Sequence, residues 1–99
     1  MNIDNQEYKL ISLNDESLGL AKSQELKSEI ENEIESGVIF IAFDLSSLDS
    51  INSAGLGILI GILNRLKTAG GNLKILNISE RIMNIFKITK LNLVFDIQK

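Results

Sequence analysis

The sequence has 99 residues, 44% of them hydrophobic, and a formal charge of −3 from ten basic and thirteen acidic side chains. That length supports one core of modest stability and not two, so residues 1–99 read as a single unit. Neither histidine nor cysteine is present, which removes imidazole bases, thiolate nucleophiles, disulfides and the usual zinc ligands, and moves the expectation away from an enzyme.

No run of eighteen apolar residues occurs, so no membrane-inserted segment is expected. Residues 1–5 lack the basic-then-apolar pattern of a secretory signal, and a bacterial-type cytoplasm is the default location. Eight of the ten basic residues, from Lys22 to Lys90, are scattered rather than clustered. Nucleic acid is therefore not an expected partner.

Tyr8, Leu10, Ile11 and Leu13 predict a first strand, closed by a turn cluster at 14–17. Over 20–36 the period becomes helical. Leu26, Ile30 and Ile34 recur every four residues, while Glu25, Glu29, Glu31, Glu33 and Glu35 make a solvated face. Gly37 stands where a left-handed helix cap is wanted. The apolar run at 38–43 suits a strand buried on both faces, at the centre of a sheet covered by helices.

A polar connection is expected at 45–52, then a second helix over 53–69. Its apolar stripe is Leu56, Leu59, Ile60, Leu63 and Leu66, and Gly70-Gly71 ends it. Leu73, Ile75 and Ile78 mark another strand, with Leu76 facing the opposite layer. Ser79 is a candidate N-cap for a third helix carrying Ile82, Met83, Ile85 and Phe86. Residues 93–97 supply a last strand or an edge extension. The alternation predicts an α/β fold with a mostly parallel central sheet of about four strands, flanked by three or more helices. Right-handed crossovers would gather the loops after the strands along one edge.

Residues 44–61 run from a buried strand through a polar loop into a glycine-studded helix. Gly55, Gly57 and Gly61 give a pattern one residue longer than the dinucleotide fingerprint, after a long loop and without a phosphate-binding lysine. A nucleophile elbow would need glycine where Ile51 stands, and a histidine. Asp44 and Asp49 are turn and cap formers before they are a cation site. What remains is a serine at a helix start, where Ser53 or Asn52 can cap for about 1 kcal/mol. Each helix-interior glycine costs about 1 kcal/mol relative to alanine. Three of them imply either tight packing on the sheet or a helix start left bare for a partner, with Leu56 protruding between Gly55 and Gly57.

Asn52-Ser53-Ala54-Gly55-Leu56-Gly57, after Phe43-Asp44-Leu45-Ser46, resembles the signature of STAS domains, in particular the anti-sigma factor antagonists (anti-anti-sigma factors). The Gly70-Gly71-Asn72-Leu73 turn and the helix and tail over 82–91 are similar as well. The resemblance implies a single STAS domain over 1–99 that binds an anti-sigma factor doubling as a serine protein kinase. It makes Ser53 the phosphate acceptor, reset by a phosphatase, and places docking on Asn52, Ser53, Ala54, Gly55, Leu56 and Gly57. It implies no catalytic residue, cofactor or metal.

Two departures stand out. Asn52 occupies a position where the family often has aspartate, and asparagine cannot act as a base. The family's glycine-glutamate-leucine-aspartate turn is missing after Leu13, with Asn14, Asp15 and Gly19 in its place. A trimmed first hairpin would expose an edge strand and leave a homodimer open. The alternative reading is a non-switching STAS subunit of a stress-sensing or phospholipid-transport complex, in which Ser53 is only a cap.

Overall fold

The computed structural model describes residues 1–98. Lys99, the last residue of the expected unit, lies outside the described residues. The chain opens on a small hairpin, β1 (Asn2–Ile3) against β2 (Gln6–Glu7). Its two turn residues, Asp4 and Asn5, have φ of 53° and 66°. Left-handed pairs of this kind match the twist of a two-residue hairpin, and Asp and Asn tolerate them best after glycine.

Then follow β3 (Lys9–Asn14), α1 (Leu20–Glu35), β4 (Phe40–Ser47), α2 (Ser53–Thr68), β5 (Asn72–Leu76), α3 (Glu80–Ile88), a 3₁₀ turn (Leu91–Leu93) and β6 (Asp96–Gln98). The sheet order is β3-β4-β5-β6, every pair parallel. Strand order equals chain order, so each crossover steps the same way. Crossovers of one hand then put all three helices on one face. Ile41, Phe43, Leu45, Leu73 and Ile75 share a core with Leu26 and Ile30 of α1, Leu59 and Leu66 of α2, and Ile82 and Phe86 of α3.

That arrangement corrects the expectation for the central strand, which has helices on one face only. Ala42 and Leu76 look the other way and are covered by the hairpin, through Ile3 and Tyr8. The Tyr8 ring stands edge-on to Phe40, with centroids 5.6 Å apart. The strand also begins at Phe40 and runs on to Ser47, three residues into the expected polar connection, with Leu45 fully buried.

Lys74 is a second surprise on this face. It is only 5% exposed, with its Nζ 2.6 Å from Asp96 and 3.3 Å from Asp4. The hydrogen bond that Lys74 donates to Asp96 raises the Lys74 pKa above its ordinary value, against the opposing effect of burial. Burial pushes Asp96 up, but its hydrogen bonds from Lys74 and Asn72 outweigh it and the carboxyl ends lower than usual.

Helix ends follow their sequence signals. Gly37, at φ 89°, lets its N–H reach the Ile34 carbonyl and that of Val38 reach Glu33, at 3.0 and 2.8 Å. This paired bond satisfies carbonyls that the helix leaves open. Ser79 caps α3 by accepting the Ile82 N–H at 3.1 Å. Gly71 is required by close approach, since a Cβ there would collide with the Ile39 carbonyl oxygen.

Candidate functional site at the start of the second helix

The carboxyl ends of β3, β4 and β5 deliver three loops to one edge of the sheet, and two aspartates tie them together. Asp15, after β3, accepts the backbone N–H groups of Asp49 and Ser50 at 2.8 and 3.4 Å. Asp44, in β4, accepts the Ser46 N–H at 2.9 Å and the Asn77 amide at 3.1 Å. The Ser46 bond, then that of Asn77, holds the Asp44 carboxyl below the usual carboxylate range. Leu48 is 2% exposed and Ile51 half-buried, so the loop from β4 to α2 is pinned from beneath as well.

Asn52 and Ser53 divide the helix start between them. Asn52 is in extended conformation and its Oδ1 accepts the Gly55 N–H at 2.8 Å, which makes it the N-cap. Ser53 is the first helical residue and is exposed. Among the described residues its hydroxyl has no hydrogen-bond partner. The cap is therefore already provided, and Ser53 is left over at the positive end of the helix dipole. Asn52 spends its acceptor on the backbone, which accounts for asparagine serving where a carboxylate was expected.

The six residues singled out from the sequence split into two sets. Asn52, Ser53, Ala54 and Gly57 are exposed; Gly55 and Leu56 face inward. Leu56, expected to protrude, is 8% exposed and packed in the core. Gly55 is a packing requirement, because a Cβ would stand 2.9 Å from Ile51 Cγ1 and 3.4 Å from Leu18 Cδ1. Gly57 and Gly61 differ. A Cβ at either meets nothing within 4 Å, so sheet packing does not explain them. With Ala54 they line a groove of about 520 Å³ between α1 and α2, bounded by Ile30, Ile58 and Arg65 among others. The site is an unengaged hydroxyl on a stiffened loop-helix junction, beside an open strip of backbone.

A protein-family model for the STAS domain matches residues 6–99. The chain belongs to the STAS domain family. Within it, the chain is similar to the anti-sigma-B factor antagonist of Bacillus subtilis, 40% identical over 53 residues. That match takes in 54% of this chain and 49% of the relative, so the chain aligns with about half the length of this curated relative. Among solved structures, TM1081 of Thermotoga maritima superposes with a TM-score of 0.82 at 24% identity, covering 91% of this chain and 72% of that one. Unphosphorylated SpoIIAA of Bacillus, an anti-sigma factor antagonist, gives a TM-score of 0.63 at 17% identity, covering 93% and 74%. Both likenesses establish the STAS fold.

Sequence reasoning passed over Asp15 and Asn77 as site residues. Asp15 did carry a signal, as an acidic residue at the turn where the family's own aspartate was missed. Asn77 acts from a left-handed position, φ 54°, after a strand, and nothing in its neighbours marks that role.

Proposed function

We propose that this STAS domain is an anti-sigma factor antagonist, a cytoplasmic binding module released from its partner by phosphorylation of Ser53. The partner is an anti-sigma factor that is also a serine protein kinase, and a phosphatase restores the free hydroxyl. Residues 1–99 act as one domain, and binding rather than catalysis is its work. The observation that carries this reading is the division of labour at the helix start. Asn52 caps α2, and the Ser53 hydroxyl is exposed without a structural task.

The electrostatics favour a switch that acts on the surface and not on the fold. A phosphate on Ser53 adds nearly two negative charges beside free N–H groups and the positive helix end, so the domain tolerates it. The same charge falls on Ala54 and Gly57, the accessible part of the docking strip. Like-charge juxtaposition in an interface costs several kcal/mol, and each 1.4 kcal/mol weakens binding tenfold. On this reading the base belongs to the kinase, since Asn52 cannot act as one.

The test is intact-mass analysis after incubation with ATP, magnesium and a candidate serine kinase from the same genome. One phosphate on the native chain and none on Ser53→Ala supports the switch. A stable complex without phosphate transfer favours instead a permanently docked STAS subunit.

A further inference from the structure

β3 is the outermost strand of the sheet, paired with β4 on one side only. The hairpin that precedes it packs on the sheet face through Ile3 and Tyr8 and does not extend the sheet. The outer backbone edge of β3 is thus unpaired along most of its six residues. Its local closure is at Asn14, whose N–H is taken by Ser17 Oγ at 2.9 Å. Proteins blunt such edges with proline, charges or a covering element. Proline is absent from the chain, and the strand's single charge, Lys9, leans onto Glu33 at 3.3 Å.

Between this edge and α1 lies a groove of about 290 Å³. Its floor is Ile11, Leu13 and Leu26, and its rim carries Glu16, Glu25 and Glu29 against one cation, Lys22. Lys22 is within 3.6 Å of Glu25, while Glu16 and Glu29 have no cationic partner among the described residues. We infer that this edge receives an extended, basic segment of a partner protein, added as a fifth strand with alternate apolar side chains on the groove floor and Lys or Arg toward the glutamates. Main-chain hydrogen bonds would supply affinity, and the rim charge would select the sequence.

The same charges disfavour a second copy. Joining two β3 edges would set two α1 helices side by side, each with five glutamates against two lysines. The acidic flank repels itself and attracts a cationic strand. This inference stands apart from Ser53 and does not depend on its phosphorylation.

The probe is a capped heptapeptide alternating valine with lysine, titrated into ¹⁵N-labelled protein. The expected result is saturable shifts at Ile11, Ser12 and Leu13, slowed amide exchange along β3, and binding at least tenfold weaker in Glu16→Lys/Glu29→Lys. Ser53→Ala should bind the peptide as the native chain does. Equal binding of a valine-glutamate peptide, shifts elsewhere, no binding, or a dimer by sedimentation whose interface includes β3 would each overturn the inference.

Discussion

The Asp15 carboxylate accepts the backbone N–H of Asp49 at 2.8 Å, across 34 residues of sequence. A turn after the first sheet strand thereby holds the loop that leads to Ser53. Docking surfaces gain affinity when they are ordered before the partner arrives, because less entropy is lost on binding. Asp15→Ala should speed amide exchange at Asp49 and Ser50 and weaken the partner complex about tenfold, with stability lowered by about 1 kcal/mol. Exchange measured by NMR beside a binding titration checks both.

Asn52 is predicted to matter as a cap and not as a chemical group. Asn52→Ala should cost about 1 kcal/mol of stability, whereas Asn52→Asp, which caps equally well, should stay within a few tenths. Phosphorylation of Asn52→Asp should proceed within a few-fold of the native rate. Thermal unfolding and timed mass spectra give the two readings.

The glycines of α2 should respond in opposite directions. Gly57→Ala places its Cβ in open space and removes a helix-weakening residue, so stability should rise by as much as about 1 kcal/mol. Gly55→Ala drives a Cβ against Ile51 and should destabilise by about 1–2 kcal/mol. Gly57→Arg should keep the fold and weaken partner binding more than tenfold. Denaturant curves and binding titrations of the three variants test this.

The Lys74–Asp96 pair predicts a pH profile. Asp96 titrates below its ordinary 3.8 when folded, so its stabilisation is present above that value and lost as pH falls through the folded pKa. Lys74 titrates above its ordinary 10.5, so its part is complete below that value and lost as pH rises through the folded pKa. Asp96→Asn should cost about 1–3 kcal/mol at neutral pH, because it leaves a buried ammonium with one fewer anionic partner. It should also flatten the acid limb. Urea unfolding across the pH range reads both effects.

Much of this was legible from periodicity. The four-residue spacing of Leu26 and Ile30, the cap signals at Gly37 and Ser79, and the paired glycines after α2 each act within a few residues, and the structure follows them. The glycine-studded start of α2 marked the family for the same reason. What escaped depends on partners far along the chain. Lys74 reads as a surface lysine until Asp96, 22 residues on, is placed beside it. The far end of β4 was lost because Asp44, Ser46 and Ser47 look like loop, although alternation leaves Asp44 and Ser46 on the face away from the helices. Leu56 was a different case: it belongs to the stripe with Leu59, Leu63 and Leu66, and helix phase alone puts it inside. The two-residue strands of the hairpin are too short for any period, and its signal was the Asp4-Asn5 pair.

The central claim is that a phosphate on Ser53 changes what this domain binds without changing what it is. The direct measurement is calorimetric titration of the anti-sigma factor kinase with unmodified and fully phosphorylated protein, with a thermal melt of each form. The account predicts an affinity loss of at least a hundredfold and melting temperatures within a few degrees. Equal affinity of the two forms, or a phosphorylated form that has lost its fold, would contradict it.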